Sequence, residues 1–557
     1  MMEVRDLTVR AGGRSVLKNV SVNFRPRAMN AVIGPSGCGK TTLVRAAVGS
    51  GAMSAEGEFR LDGVELTKRS DRVGRVGYVP QFCVAHPDLT VEESILYSLK
   101  LLDLKEEEIV QRSEQILSET GLAGLRARMV GRLSGGQLRR VALALELVAD
   151  PSLLFCDEVT AGLDPESEDG ILDLIRSLVD QQGKTVVNVI HNLHHLHRFD
   201  WIVVLDAGEK IFEGDFAAFQ EWFQLEEPVR LFRMLGDETD PRDWVALWQE
   251  KGKQFDAAGV EVSEQGAERS TQPASGFSQA KTLLQRRFRL FLRDRGYLAL
   301  TAAITIGFPL LVVIFALDGI PQLTRLSLDS GLGTLGRLQG EIAFAKEAAD
   351  LGSLVSSLIL FQVVLLTLTG SNNGAREIAP QADLFFQESL RGLRPGPYCF
   401  EKLVFTGCIA VVQGLVMTVV VKSVVHFPGS WLIQGITLVL VSLALSWLAL
   451  GFSAWLKSGE KASLLAVYIV GFQLPLSGIV LTLPESLTDF VRTGITTYWG
   501  WASYLASFRD TGLYDAAVFV SNERVPPYQL CLLVLGIHAV SAMILVASGV
   551  FRMHRTR

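Results

Sequence analysis

The pattern of apolar and polar positions divides the chain into two unlike parts. In the C-terminal half, six stretches without Asp, Glu, Lys or Arg each run for 19 residues or more. About 20 apolar residues in a helix cover the ~30 Å hydrocarbon layer of a bilayer. Six such stretches in succession are implausible as buried helices of a soluble protein, so they predict six membrane spans. The stretches are Tyr297–Leu317, Leu351–Ala375, Leu403–Val421, Phe427–Leu456, Ala462–Pro484 and Val525–Phe551.

The N-terminal part has short apolar runs instead. One of them, Leu153–Cys156, is typical of a buried strand. We therefore predict an α/β domain over 1–225, an acidic linker over 226–276, an interfacial helix over 277–295 and an all-α membrane domain of six helices over 296–557. The spans are expected near 297–317, 351–375, 403–421, 431–456, 462–484 and 528–551.

Charge sets the linker apart from the helix that follows it. Residues 226–276 hold eleven acidic and six basic residues, and their end is rich in Ser, Pro and Gly, which predicts flexibility. Residues 277–295 mix apolar side chains with Lys281, Arg286, Arg287, Arg289, Arg293 and Arg295. A basic amphipathic helix before a span predicts contact with membrane lipids on the cytosolic leaflet, the alternative being an ordinary solvated helix.

Cysteine usage and the absence of an Asn-x-Ser/Thr sequon from the predicted outer loops favour a bacterial inner-membrane protein over a protein of the secretory pathway. The net charge is −6 and the mean hydropathy is +0.28. The N-terminus has no signal peptide, and basic residues are enriched in the predicted inner loops, which places both termini and the α/β domain in the cytoplasm. None of the six cysteines lies in the predicted outer loops 318–350 and 485–524, so no disulfide framework is expected. No nucleic-acid partner is predicted.

A phosphate-binding loop lies near the N-terminus. Its glycines allow the backbone to wrap around a phosphate, with N–H groups pointing inward at the start of a helix. Lys40 adds a positive charge for the β- and γ-phosphates, and the Thr41 hydroxyl can ligate Mg²⁺. The predicted ligands are therefore ATP and Mg²⁺. The loop residues are Gly34, Pro35, Ser36, Gly37, Cys38, Gly39, Lys40, Thr41 and Thr42.

A second anion site is predicted at the start of another helix. Leu133 is followed by Ser134, Gly135, Gly136 and Gln137, which leave backbone N–H groups unobstructed. One domain with two such sites would place an ATP against each of them. Closing two copies head to tail achieves this, so the chain is expected to form a homodimer.

Together the two motifs resemble the ATP-binding cassette (ABC) family, and further family elements follow in order. Asp157 resembles the Walker B aspartate, which holds Mg²⁺ through water, and Glu158 resembles the general base. His191 resembles the switch histidine that contacts the γ-phosphate. Gln81 resembles the glutamine that senses Mg²⁺ and faces the membrane partner. The resemblance implies that Glu158, His191 and Gln81 are catalytic, and that Gln81 and Asp157 join the Thr41 hydroxyl at the metal.

Three positions depart from the family pattern without removing a catalytic group. Ala11 stands where many cassettes stack an aromatic ring on adenine, which leaves the choice between ATP and GTP open. Val159 replaces a common proline, and Ala161 replaces the usual serine of the D-loop, Ala161–Asp164.

The order of the domains, cassette first, resembles the G subfamily (White-type) of half-transporters. Leu384–Glu388 resembles its coupling helix, Ser477–Val480 its exit gate and Thr497–Tyr504 its outer re-entrant segment. Glu388 is predicted to link the cassette to the spans. Its expected partner is an arginine on the interfacial helix or on the cassette face that carries Gln81.

The resemblance implies an ATPase that exports a hydrophobic or amphipathic compound, lipid or drug-like, as a homodimer. An alternative is mechanotransmission to a partner across the membrane, with the loop 318–350 as the contact. An importer is the least favoured class. By family analogy the substrate path lies between the second and fifth spans, although each candidate could equally be a packing residue. The candidates are Gln362, Thr367, Thr369, Gln473, Leu474, Ile479 and Val480.

Overall fold

The chain divides into two units, each with its own core. The computed structural model describes residues 1–49, 54–68, 71–236, 242–252, 272–317, 334–456, 458–479, 484–521 and 525–556. The first unit comprises Met1–Arg286, Asp383–Pro397 and His554–Arg557, and the second comprises Arg287–Ala382 and Tyr398–Met553. The first is α/β and the second is helical, so the predicted fold classes and their order are confirmed.

The described part of the first unit holds ten strands in two sheets. The strands are β1 (Met2–Ala11), β2 (Arg14–Phe24), β3 (Met29–Ile33), β4 (Ser54–Leu61), β5 (Val64–Glu65), β6 (Val76–Val79), β7 (Leu153–Asp157), β8 (Thr185–Val189), β9 (Trp201–Asp206) and β10 (Glu209–Gly214). One sheet is antiparallel, with the order β2-β1-β4-β5, and the other has the order β10-β9-β3-β8-β7-β6. In the second sheet only β10 runs antiparallel to its neighbour.

The central strands of the six-stranded sheet are buried along their whole length. Every residue of β3, β7 and β8 is buried. One face of these strands packs with residues of β1, β2 and β4 and the other face packs with helices, so the strands read as apolar runs. The carboxyl ends of parallel strands lie at one edge of the sheet. Residues that follow β3, β6, β7 and β8 therefore meet at that edge.

Eight helices within residues 1–252 surround these sheets where the structure describes them. They are α1 (Lys40–Val48), α2 (Val91–Leu99), α3 (Glu106–Glu119), α4 (Gly135–Leu147), α5 (Pro165–Gln182), α6 (Phe216–Phe223), α7 (Leu231–Leu235) and α8 (Trp244–Lys251). Short 3₁₀ helices lie at Ala123–Leu125, Val130–Arg132, Leu193–Arg198 and Pro228–Arg230.

Part of the predicted linker is packed against the cassette. Helices α7 and α8 lie within 226–276, and the Trp244 and Trp248 rings pack in the same core as Phe212 and Phe223. Residues 237–241 and 253–271 lie outside the described residues. The linker prediction for those residues stays a prediction.

The remaining helices follow in chain order. They are α9 (Gly276–Arg293), α10 (Arg295–Ile314), α11 (Thr334–Ala375), α12 (Ala382–Leu390), α13 (Pro395–Val425), α14 (Trp431–Trp455), α15 (Gly459–Gln473), α16 (Glu485–Thr493), α17 (Thr496–Ala506), α18 (Gly512–Ser521) and α19 (Tyr528–Thr556). Helix α9 covers the predicted interfacial helix, and α12 covers the predicted coupling helix. Because α11 begins at Thr334, the later part of the predicted outer loop 318–350 is helical, and 318–333 lies outside the described residues.

Among the described residues, five helices are long and apolar enough to cross a membrane. They contain α10, α11, α13, α14 and α19. The fifth predicted span, 462–484, coincides with the 15-residue α15 and a 3₁₀ helix at Pro475–Ser477, with 480–483 outside the described residues. Six spans therefore remain a prediction.

Candidate functional site

The loop between β3 and α1 forms a phosphate cradle. Gly34, Gly37 and Gly39 have φ values of 153°, 82° and 105°, a region that favours glycine. The Lys40 ammonium donates to the carbonyl oxygens of Gly34 at 2.8 Å and Pro35 at 3.0 Å, so it lies inside the loop. The loop therefore presents a positive charge and the free N–H groups of the first turn of α1 to one anion.

Asp157, the last residue of β7, pairs with the first turn of α1. The Thr41 hydroxyl donates to Asp157 Oδ1 at 3.1 Å, and the Tyr78 hydroxyl donates to Asp157 Oδ2 at 3.1 Å. Burial raises the pKa of Asp157, while both hydrogen bonds oppose the shift. Burial also raises the pKa of Tyr78, which keeps the phenol protonated and able to donate.

These oxygens fit Mg²⁺. The ion prefers hard oxygen ligands and is commonly held by one carboxylate together with nucleotide phosphates and water. Thr41 and Asp157 supply a hydroxyl and a carboxylate beside the phosphate cradle. Among the described residues no group of three or more His, Cys, Asp or Glu could hold a metal ion.

Glu158 brings the three predicted catalytic residues together. His191 Nε2 lies 2.6 Å from Glu158 Oε1, and the Gln81 amide donates to Glu158 Oε2 at 3.0 Å. The Glu158 backbone has φ of 54° and its N–H donates to Val189 O at 3.2 Å. A left-handed backbone at a non-glycine residue is uncommon and occurs often at functional sites, where the surroundings hold it in place.

A cleft of about 330 Å³ opens beside the Glu158 carboxylate. It is large enough for water next to the candidate base. Its walls come from the residues after β7, the D-loop, α5 and the end of β8 with the residues that follow it. The wall residues are Glu158, Thr160, Ala161, Gly162, Leu163, Glu168, Val189, His191 and Asn192.

The second anion motif begins α4 as predicted. Ser134 is the N-cap: its hydroxyl accepts from Gln137 N at 3.4 Å, and Gln137 Oε1 accepts from Ser134 N at 3.1 Å. This reciprocal capping box fixes the start of the helix. Ser134 and Gly135 are exposed and Gly136 is half-buried, so the motif faces solvent in the single chain.

Glu388 on α12 lies in the first unit and is buried. It forms an ion pair with Arg286 of α9, in which Arg286 Nη2 lies 3.0 Å from Glu388 Oε2. An arginine on this helix was one of the two predicted partners. Residues Asp383–Pro397, here called the α12 segment, are also connected to the rest of the cassette unit through Tyr78, Glu146 and Arg391. The sequence did not reveal these three residues. Only the apolar context of each residue signalled burial.

Four of the candidate substrate-path residues, Gln362, Thr367, Thr369 and Gln473, are buried within the second unit. The Thr367 and Thr369 hydroxyls donate to carbonyl oxygens of their own helix at 2.7 and 2.9 Å, and the Gln362 amide does so at 3.3 Å. Gln473 Oε1 accepts from Thr497 N at 3.1 Å. Leu474 and Ile479 pack against the core of the unit, and Val480 lies outside the described residues. A role in transport stays a prediction for all of them.

Two family models match successive parts of the chain. The model described as ABC transporter matches residues 17–161, and the model described as ABC-2 type transporter matches residues 278–506. Both matches lie in the predicted order, with the cassette first.

Three relatives illustrate these similarities. The ABC transporter ATP-binding/permease protein Rv1747 of Mycobacterium tuberculosis is 27% identical over 91% of this chain and 57% of its own length. The energy-coupling factor transporter ATP-binding protein EcfA1 of Thermotoga maritima is 34% identical over 45% of this chain and 91% of its own length. The ABC transporter G family member 21 of Arabidopsis thaliana is 36% identical over 38% of this chain and 32% of its own length. The chain thus spans little more than half of the mycobacterial protein.

Proposed function

Because the chain belongs to the ABC transporter family, we propose that it is a half-transporter that couples ATP hydrolysis to export of a hydrophobic or amphipathic compound. The proposal places it as a homodimer in the inner membrane of a bacterium, with the cassette in the cytoplasm. One observation carries it: residues Asp383–Pro397, between membrane helices α11 and α13, pack as part of the cassette unit. The segment that leads into the first three residues of α13 therefore belongs to the same unit as the nucleotide site.

The site geometry supports hydrolysis. Lys40 would bind the β- and γ-phosphates, while Thr41 and Asp157 would hold Mg²⁺. Bound Mg²⁺ neutralises charge that develops on the phosphates. Glu158 lines the cleft and would accept the proton of an attacking water, and His191, which contacts the Glu158 carboxylate, would orient it.

Export would follow from closing and opening of the dimer. The exposed Ser134 and Gly135 of one subunit would cover the ATP held by Lys40 of the other. Such coupling requires that ATP bind the closed dimer more tightly than the open one. Segment 383–397, which belongs to the cassette unit, would move with the cassette and pull on α11 and α13 when the dimer closes.

The decisive test compares membrane vesicles that contain the wild-type protein with vesicles that contain Glu158→Gln. Lipids and small molecules that accumulate only with the wild type and ATP identify the cargo. Wild-type ATPase without any transported compound, together with loss of cellular function when 325–345 is deleted, would contradict export and favour mechanotransmission.

A further inference from the structure

Tyr78 on β6 connects three parts of the cassette unit through its three polar groups. Its hydroxyl donates to Asp157 Oδ2 at 3.1 Å, and its backbone N–H donates to Glu146 Oε2 at 3.2 Å. Its carbonyl oxygen lies 3.0 Å from the Gln387 side-chain amide, whose nitrogen is assigned to this side because only that orientation puts a donor against the surrounding acceptors. One residue thus contacts the metal-site aspartate, the last turn of α4 and α12.

The Glu146 carboxylate is the second member of this connection. It is 2% exposed, and its Oε1 accepts from Arg391 Nη2 at 2.7 Å and Arg391 Nε at 3.2 Å. The Gln387 nitrogen lies 2.7 Å from the same oxygen. A buried carboxylate depends on its partners, because an unpaired charge in the interior is strongly unfavourable. Arg391, which follows α12, therefore fixes the position of the Glu146 carboxylate, and that carboxylate fixes the backbone N–H of Tyr78.

Packing keeps these groups in one arrangement. Tyr78 shares a hydrophobic core with Phe386 and Leu390 of α12, and Gly74 N, just before β6, donates to Leu390 O at 3.2 Å. A side chain on Gly77 would contact Glu146 Oε2 at 3.5 Å and come within 2.9 Å of Pro151. β6 therefore packs closely against α4 and against the turn just before β7. This close packing limits the movement of β6.

The hydroxyl of Tyr78 is one of two hydroxyl groups that donate to the Asp157 carboxylate. A carboxylate rotates easily about its last torsion, so hydrogen bonds to it decide its orientation. Thr41 binds Oδ1 and Tyr78 binds Oδ2, so each oxygen has its own donor. Without the phenol, Oδ2 loses its donor and the carboxylate is free to turn away from Thr41.

We propose that Tyr78 is a positioning residue of the Mg²⁺ site, held in place by the α12 segment through Glu146 and Arg391. The connection is separate from the Gln81–Glu158 contact. It rests on the proposed function insofar as that function assigns ATP and Mg²⁺ to this site. If Tyr78 only filled the core, Tyr78→Phe would leave the Mg²⁺ concentration required for nucleotide binding unchanged.

The test measures binding of a fluorescent ATP analogue against Mg²⁺ concentration, in the full-length Glu158→Gln protein in nanodiscs. Tyr78→Phe is expected to raise the Mg²⁺ concentration for half-maximal binding by about 10- to 100-fold, the usual effect of losing a partner of a metal ligand. Binding without Mg²⁺ should stay within about twofold, since the phosphate cradle is untouched. Tyr97→Phe, which removes the hydroxyl of another buried tyrosine of the cassette, is the control. It should require the same Mg²⁺ concentration for half-maximal binding as the Glu158→Gln protein without it.

Arg391→Gln tests the connection to the α12 segment. It should raise the Mg²⁺ requirement in the same direction, and the double variant with Tyr78→Phe should add nothing further. An unchanged Mg²⁺ requirement in Tyr78→Phe, or shifts that multiply in the double variant, would overturn the proposal. If Tyr78→Phe does not fold, Arg391→Gln alone decides: a raised requirement supports the proposal and an unchanged one overturns it.

The readout separates this inference from the proposed function. Nucleotide binding in a Glu158→Gln protein needs neither hydrolysis nor transport. A wild-type protein that binds no ATP would contradict the proposed function, whereas normal Mg²⁺ dependence in Tyr78→Phe contradicts only the role of Tyr78.

Discussion

Glu388 and Arg286 form a buried ion pair although 102 positions separate them in the chain. Glu388 is 2% exposed and Arg286 is 7% exposed. The pair joins α12, which follows α11, to α9, which precedes α10. Under the proposed function, the pair would pass a movement of the cassette unit to both helices.

Glu388→Ala is expected to keep ATP binding and to lower the number of molecules transported per ATP hydrolysed. The substitution leaves Arg286 buried without its carboxylate, which typically costs ~3–5 kcal/mol. The measurement is transport and ATPase in the same proteoliposomes. Arg289→Gln removes an exposed charge from the same helix and should leave the ratio unchanged. A normal ratio in Glu388→Ala would mean that the pair serves stability alone.

Lys40→Ala should weaken ATP binding more than about tenfold, whereas Glu158→Gln should bind ATP normally and lower kcat by about 10²- to 10⁴-fold. The reason is that Lys40 lies in the phosphate cradle, while Glu158 contacts His191 and the cleft. Equilibrium nucleotide binding and ATPase, measured on the same preparations, separate the two effects.

Lys18→Ala is the matched control, since it removes an exposed lysine of β2. Near-normal ATPase in Glu158→Gln would transfer the role of base to another group, with His191 as the first candidate. Normal ATP affinity in Lys40→Ala would contradict the assignment of the cradle.

The nucleotide site was predictable because its chemistry lies in short motifs. Asp157 is the last residue of a buried strand, and Lys40 and His191 follow the ends of two other buried strands of the same sheet, so motif order alone places all three at one edge. The structure brings Glu158, Gln81 and His191 within hydrogen-bonding distance, which the motifs implied only by resemblance.

The contacts of the α12 segment could not be predicted in the same way. Arg391 and Glu146 are 245 positions apart, and no local pattern pairs them. The acidic composition of 226–276 concealed Trp244 and Trp248, which lie four residues apart on one face of α8 and are buried. In the fifth predicted span, α15 ends at Gln473 just before Pro475, whose nitrogen cannot donate to continue a helix. Hydropathy alone does not register that break.

Asp150 is expected to stabilise the cassette at neutral pH through Lys184. Lys184 Nζ lies 2.7 Å from Asp150 Oδ1, and Lys184 is 5% exposed. Burial raises the pKa of Asp150, but Lys184 and Arg112 lower it further, so its net shift is downward. Asp150→Asn should therefore cost ~1–3 kcal/mol near pH 7, as for a hydrogen bond to a charged group.

The pH dependence follows from that direction. A carboxyl whose pKa is lower in the folded state contributes stability above its unfolded pKa of about 3.9 and loses it as the pH falls through the folded value. The difference in unfolding temperature between wild type and Asp150→Asn should be constant from about pH 7 to pH 5 and shrink below about pH 4. Asp180→Asn, at a 60% exposed position, should show little difference at any pH. A difference in unfolding temperature between wild type and Asp150→Asn that grows at low pH would contradict the downward shift of the Asp150 pKa.

The protein is expected to be a homodimer in which the phosphate cradle of one subunit faces Ser134 of the other. Ser36 and Ser134 are both exposed in the single chain, as such an interface requires. Mass photometry in nanodiscs should give a protein mass of twice 61.0 kDa. A Ser36→Cys and Ser134→Cys double variant should cross-link between subunits, and more efficiently when Glu158→Gln and ATP hold the dimer closed. Each single variant is the control and should form no such cross-link. An active protein of a single 61.0 kDa chain, or activity that requires a second and different half-transporter, would contradict the homodimer.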